Sequence, residues 1–229
     1  MKIHHFNHFK PICPNCALQD IGSFPLELQI RKQANDIVEE GQLFCTNCNM
    51  VYPILHGIPI IVSDPAVFIQ QNLTHILWPH QQSFFFQQWI GENAGPTSSF
   101  EISRQYISTY GWSHYHDLDV SDDEQHISPS NLPQLAQSCS LLFEQNTKEI
   151  DQRIPNDSNP IKILDVGSAV GRLSLEMLRR YTSNSHESLV LGIDMNFSMV
   201  ALAQKIIREK RFEYAKRSIG MTYKWHSID

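Results

Sequence analysis

The stretch IKILDVGSAVGR, residues 161–172, decides the fold. Ile161, Ile163, Leu164 and Val166 make a short apolar run that stops at Gly167, with Gly171 four positions on. The segment GRLSLEMLRRY (171–181) then reads as a helix, SLVLGID (188–194) as a second buried strand, and MNFSMVALAQKIIREKRF (195–212) as a second amphipathic helix. This β-α-β-α order is the opening of a parallel-sheet α/β domain. A strand that ends in a glycine turn and opens a helix lets backbone approach a ligand closely and points helix amides at a negative group.

Moving toward the N-terminus, residues 117–131 (DLDVSDDEQHISPSN) are acidic and proline-interrupted, as a solvated loop would be, and PNDSNP (155–160) is a turn cluster. Between them, Leu132 to about Arg153 reads as a helix with Leu135, Cys139, Leu142 and Phe143 on one face; Cys139 there is an inert apolar residue. Residues 65–112 are helical and aromatic-rich, beginning at Pro65, with a helix expected from Ser99 through Tyr110 and ending near Gly111. Tyr106, Tyr110, Trp112, His114 and Tyr115 are expected as aromatic core, the alternative being a helix that lies over a ligand bound at the sheet.

The first 64 residues carry the other constellation, CPNC at 13–16 and CTNC at 45–48. Each C-x-x-C bends into a knuckle that aims two thiolates at one point, and two knuckles supply the tetrahedral sulfur set that zinc favours. Cys13, Cys16, Cys45 and Cys48 are thus expected to hold a structural zinc ion, since four thiolates leave no open position; a redox pair or four unrelated cysteines is the competing possibility. His4, His5 and His8 are expected at the surface. Around the cysteines, Phe24, Leu26, Leu28 and Ile30 alternate as a half-buried strand, Glu40-Gly41 reads as a turn, and YPILHGIPIIVSD (52–64) as a strand-like run broken by Pro53, Gly57 and Pro59. So small a core needs a metal.

Composition bounds the partners. The chain has 229 residues, 41% hydrophobic and 18% charged, with a net charge of −6. Residues 1–160 carry a balance of −10 and residues 161–229 of +4, so nucleic acid is not indicated as a partner. No run approaches the roughly 18 apolar residues of a membrane span and the N-terminus lacks a signal-peptide core, so a cytoplasmic, membrane-free protein with reduced thiols is expected.

Two resemblances add to these readings. The string EEGQLFCTNCNMVYPILHGIPIIVSD resembles the C-terminal half of the small zinc-ribbon activators of tRNA and protein methyltransferases, through Gly41, Cys45, Cys48, Tyr52-Pro53-Ile54 and Gly57-Ile58-Pro59. The match covers about residues 11–64 and implies docking of the IPIIV strand on a methyltransferase or another protein partner, here in the same chain; ordinary core strand is compatible with it. The glycine turn does not fit the dinucleotide fingerprint, because Ala169 and Arg172 occupy its second and third glycine slots. It resembles instead the acidic-x-Gly-x-Gly-x-Gly motif of class I methyltransferases, with Ala169 in place of the middle glycine, and another nucleotide-type ligand is the alternative. That resemblance implies S-adenosylmethionine as cofactor. Asp165, Gly167, Ser168, Ala169 and Gly171 would hold its methionine end, Asp194 its ribose and Met195 its adenine, with simple packing the other role open to Met195. The wording G-S-A-V-G-R, then G-I-D, is similar to methyltransferases acting on mercaptohistidine-type small molecules, which usually have cysteine at Ser168.

The expected architecture is an α+β zinc ribbon (1–64), a helical linker or cap (65–154) and an incomplete α/β Rossmann-like domain of the class I methyltransferase type (155–229). MTYKWHSID at the end could at most begin a third strand, so the region that holds acceptor-side and catalytic residues in that family is not recognisable; no residue is assigned a catalytic role and the methyl acceptor is unknown. Two functions compete: a chain that is, or as a shortened form derives from, a methyltransferase with a built-in zinc ribbon, active or inactive, and a noncatalytic zinc-ribbon module that binds or activates a partner methyltransferase.

Overall fold

The computed structural model describes residues 1–77, 82–118, 160–182 and 187–228, together with the single positions 137, 138, 141, 145, 149, 152 and 154. The chain forms two compact units, Met1–Pro79 and His80–Asp229. It is a mixed α+β structure: a small antiparallel sheet lies in the first unit and a separate two-stranded parallel sheet in the second. No helix among the described residues is long and apolar enough to cross a membrane.

In the first unit, α1 (Ile3–Phe9) and α2 (Pro14–Leu18) precede a sheet of four antiparallel strands in sequence order, β1 (Glu27–Ala34), β2 (Ile37–Phe44), β3 (Val51–Leu55) and β4 (Ile58–Pro59). The β1–β2 hairpin turns at Asn35-Asp36, with Asn35 in the left-handed region that asparagine tolerates. The turn expected at Glu40-Gly41 is therefore corrected: both residues lie inside β2. Gly41 is there for room, since a Cβ would meet the Gln29 carbonyl at 2.5 Å, where β1 bulges between Ile30 and Lys32. The β3–β4 turn is His56-Gly57, both at positive φ as a two-residue hairpin requires.

The strand expected around Phe24–Ile30 starts later, at Glu27: Leu26, just before it, is buried and Leu28 packs on the core, while Ile30 is exposed on what is an edge strand. The core gathers Leu26, Val38, Leu43, Tyr52 and Ile54 around the buried Cys13, Cys16 and Cys45. His4, His5 and His8 sit on α1, half-buried. Asp64 caps α3 (Pro65–Gln71) by accepting from the amides of Ala66 and Val67, both at 3.0 Å, with Pro65 in the first turn as expected; α4 (Leu73–Leu77) follows.

The second unit begins with α5 (Phe84–Ala94) and α6 (Ser99–Tyr115), the latter capped by the Ser98 hydroxyl on the Glu101 amide and followed by a single 3₁₀ turn, His116–Leu118. The helix runs through Gly111 rather than ending there, because this glycine serves packing: a Cβ would meet the rings of Phe212 and Tyr214 at 3.1 Å. The described positions of the helix expected at 132–153 are helical at 137, 138, 141, 145, 149 and 152; Leu135, Cys139, Leu142 and Phe143 lie outside the described residues.

Next come β5 (Ile161–Val166), α7 (Arg172–Tyr181), β6 (Ser188–Ile193) and α8 (Phe197–Glu209). β5 and β6 pair in parallel from Ile161 opposite Ser188 to Val166 opposite Ile193. α8 ends at Glu209, with Lys210 in the left-handed conformation that closes a helix, so the final Arg211 and Phe212 of the expected helix are not helical. In place of one incipient strand, the last residues form an antiparallel hairpin, β7 (Phe212–Arg217) and β8 (Tyr223–Ile228). Phe212 and Tyr214 are buried in β7 and His226 and Ile228 in β8, each pair two positions apart, and in β7 the helix-forming Glu213 and Lys216 are overruled by their neighbours. The core of this unit joins Tyr115, Val170, Met199, Leu202, Ile206, Phe212, Tyr214 and Ile228. The hairpin is fastened further where the Tyr223 hydroxyl donates to the fully buried Glu101 and Arg104 stacks over the Tyr223 ring, 3.7 Å from its centroid.

Candidate functional site

Cys13 and Cys16 flank the first turn of α2, where Pro14 starts the helix and the amide of Ala17 donates to the Cys13 carbonyl (3.1 Å). Cys45 follows β2, and the turn to Cys48 closes with the Asn49 amide on the Cys45 carbonyl at 2.9 Å, Asn49 being left-handed. These two knuckles bring the four sulfurs within 4.8 Å of one another, and they are the one group of three or more possible ligands found among the described residues. None is in a disulfide. Cys13 lies 3.6 Å from Cys48, and Cys16 3.8 Å from Cys45. A zinc ion with bonds of about 2.3 Å in a tetrahedron spaces its sulfurs about 3.8 Å apart, so the set fits a metal ion such as zinc.

The protonation chemistry agrees. The Cys48 thiol is drawn down to about 6, first by the Met50 backbone amide. For Cys16, the Asn47 hydrogen bond favours the thiolate, but burial and the neighbouring thiols outweigh it and push the group up to about 12. Four sulfurs this close cannot all ionise without a cation among them. Two supporting groups were not expected as ligand partners: the Asn47 side-chain amide donates to Cys16 Sγ at 3.5 Å, and the buried Tyr52 hydroxyl lies 3.2 Å from Cys13 Sγ. Both sit in or just after the second C-x-x-C, and that proximity is the signal that could have marked them.

The second candidate lies at the carboxyl ends of β5 and β6. The amides of Gly167 and Ser168 donate to the Ile193 carbonyl (2.8 and 3.0 Å), and the Gly171 amide to the Ser168 carbonyl (2.8 Å). The Asp194 carboxylate accepts from the Ala169 amide at 2.9 Å through one oxygen and from the Asn196 amide at 2.7 Å through the other. Thus Gly167, Ser168, Ala169, Gly171 and Asp194 come together as one turn. Gly167, Ala169 and Gly171 all have positive φ. Asp165 is buried and accepts from the Ser174 hydroxyl at 2.6 Å. Met195 is 70% exposed at the head of α8.

Several contacts that shape this turn were not foreseen from the sequence. Gly192 keeps space for it: a Cβ there would meet Ser168 at 2.9 Å and the Ser174 hydroxyl at 3.1 Å. Arg172 binds Asp117 through both guanidinium ends, at 3.0 and 2.8 Å, and Tyr115 donates to the Val170 carbonyl at 2.8 Å. Of the expected aromatic core, Tyr115 and His114 are buried, Tyr110 and Trp112 half-buried, and Tyr106 exposed. Comparison with known protein families, with curated proteins and with solved structures finds no match to this chain.

Proposed function

We propose that the chain is an S-adenosylmethionine-dependent methyltransferase that carries a structural zinc module of the methyltransferase-activator type. The observation that carries this is the bond from the Ala169 amide to the Asp194 carboxylate. It ties the end of β6 to the turn after β5, at the carboxyl edge of a parallel pair, where open α/β sheets take their ligands. The choice of S-adenosylmethionine among nucleotide-type ligands rests on the likeness of residues 165–171 and Asp194 to the class I motif.

When bound, that cofactor supplies an electrophilic methyl group on a sulfonium. The chain's part is to hold and orient. Gly167, with open space where a Cβ would stand, leaves backbone bare beside the ligand, while Gly171 lets the turn close against Ala203. Asp194 retains lone pairs for ribose hydroxyls; Met195, with Val166 and Ile193, offers exposed apolar surface for a base. Asp165, buried under the Ser174 hydroxyl, acts on the cofactor's amino group through water or by supporting the turn. The four thiolates fill a tetrahedron, so the zinc is structural.

Calorimetry on the zinc-loaded chain tests this. Micromolar-range binding of S-adenosylmethionine, weakened at least tenfold by Asp194→Ala, is expected; a folded, zinc-loaded chain that binds none overturns it. A second function, a noncatalytic module acting on a partner methyltransferase, is favoured by Leu164, Val166 and Ile193 exposed on the β5–β6 pair. It predicts a chain that ignores the cofactor and raises a partner's turnover.

A further inference from the structure

Arg172 is oddly placed for a cation. It is the first residue of α7, where the helix dipole disfavours positive charge, and it is almost wholly buried. Its donors are all engaged. Nε reaches Glu176 at 3.1 Å; Nη1 reaches Asp117 Oδ1 at 3.0 Å and the His114 carbonyl at 3.2 Å; Nη2 reaches Asp117 Oδ2 at 2.8 Å and Glu176 at 3.0 Å. Such a bidentate, buried pair is geometrically exacting. One residue before α7, Gly171 is pressed against Ala203 of α8, where a Cβ would come within 3.1 Å. One residue earlier still, the carbonyl of the fully buried Val170 accepts from Tyr115. Residues 114–117, more than fifty positions upstream, thereby grip both the last residues of the glycine turn and the start of its helix.

We propose that Asp117, Arg172 and Tyr115 are positioning residues that lock the glycine turn to the end of α6, so that α6 sets the turn's shape and its affinity for a cofactor. The affinity part rests on the function proposed above; the locking part does not. A salt bridge that merely stabilised the unit would raise its stability everywhere, whereas a lock on the turn acts at residues 167–171 first. The two differ in where a lesion is felt.

The test uses the zinc-loaded full chain and two readouts, amide hydrogen exchange without cofactor and binding of S-adenosylhomocysteine. Asp117→Asn is expected to speed exchange at residues 167–172 about tenfold while leaving the β7–β8 hairpin at its wild-type rate, and to weaken binding about tenfold; Asp117→Glu, which keeps the carboxylate, regains most of both. If Asp117→Asn fails to fold, Tyr115→Phe, which removes only the hydroxyl on Val170, is expected to speed exchange at Gly171 several-fold. Unchanged exchange at 167–172, or uniform acceleration through the unit, overturns the lock. Faster exchange at the turn with unchanged affinity overturns its link to the ligand. A wild-type chain that binds no cofactor defeats the function proposed above and the affinity link with it, while the exchange data still decide the lock.

Discussion

The cysteine cluster and the glycine turn are both places where distant segments meet, but they are held by opposite means. At the cluster, side chains carry the chemistry: four sulfurs within 4.8 Å of one another could hold a metal ion, and they lie at the centre of the small sheet's core. At the turn, backbone carries it: glycine at 167 and 171 and amides bonded to Ile193 and Asp194 define the shape, while the side chains that stabilise it come from α6, β6 and α7. A site made of side chains depends on its ligand to exist. A site made of backbone depends on its neighbours.

The sharpest way to break this contrast is to remove the metal. Structural zinc contributes about 10–16 kcal/mol of apparent binding free energy, more than so small a core can replace. Chelation of the zinc-loaded chain is expected to abolish amide protection in β1–β4 and leave that of β5–β8 in place; protection retained in β1–β4 without metal would show that the cluster is not what holds the sheet. In the folded unit Cys13, Cys16 and Cys45 are buried and Cys48 is half-buried. With zinc bound all four are expected to resist iodoacetamide near neutral pH; in the stripped chain, where the sheet has opened, all four are expected to be alkylated, read by peptide mass spectrometry.

Glycines test the same contrast at smaller scale. Gly41→Ala drives a Cβ into a backbone carbonyl, which cannot move without shifting β1, and is expected to cost about 2–4 kcal/mol in denaturant unfolding of the first unit. Gly192→Ala sets a Cβ 2.9 Å from Ser168 Cβ and Oγ and 3.1 Å from the Ser174 hydroxyl; the two hydroxyls can turn aside, but Ser168 Cβ moves only with the turn, at a cost of about 1–3 kcal/mol. The larger loss should fall at Gly41; the reverse order would mean that β1 yields more readily than the turn.

Acid separates the units in another way. His114 is buried with no partner on Nδ1, and burial, then the charge of Arg172, hold it below the ordinary imidazole range. The folded unit thus keeps His114 neutral while the unfolded chain takes up a proton near its ordinary value of about 6.5. The unfolded state gains protons first, so the contribution is complete above that value and is lost as pH falls through it. His114→Phe is expected to flatten the slope of the second unit's unfolding midpoint between pH 7 and 5; an unchanged slope would assign the acid sensitivity to other groups.

What could be read from the sequence follows the same division. Cys13, Cys16, Cys45 and Cys48 are close in pairs along the chain and chemically distinctive, so their meeting was legible. The β5–α7–β6–α8 order was legible because two short apolar runs alternate with two amphipathic segments, although Leu164, Val166 and Ile193 of the strands read as buried are exposed. Glycine misled where its reason is spatial: Gly41 and Gly111 look like punctuation, yet one faces a bulge and the other two aromatic rings, both supplied by strands elsewhere in the chain. The β7–β8 hairpin was hidden because Glu213 and Lys216 suit a helix and its partner strand begins six residues after β7 ends. Asp117, read from the sequence as part of a solvated loop, and the bond from Tyr115 to Val170 were hidden more deeply, since nothing local marks a contact whose partner is 55 positions away.

The smallest effect tests the turn where this sequence departs from the motif it resembles. Ala169 stands where the middle glycine is expected and adopts φ 45°, a conformation that costs an L-residue roughly 1–2 kcal/mol. Its amide is held there by Asp194, so the strain is kept by a bond. Ala169→Gly removes the strain but returns chain entropy to the unfolded state, so a net gain of about 0.5 kcal/mol is expected. The bond from residue 169 to Asp194 should survive, because it uses only backbone. A gain in stability with intact exchange protection at residue 169 would show that backbone alone makes the turn; a loss would mean that the Ala169 methyl group packs where a ligand-free turn needs it, and that the turn is, like the cysteine cluster, partly a site of side chains.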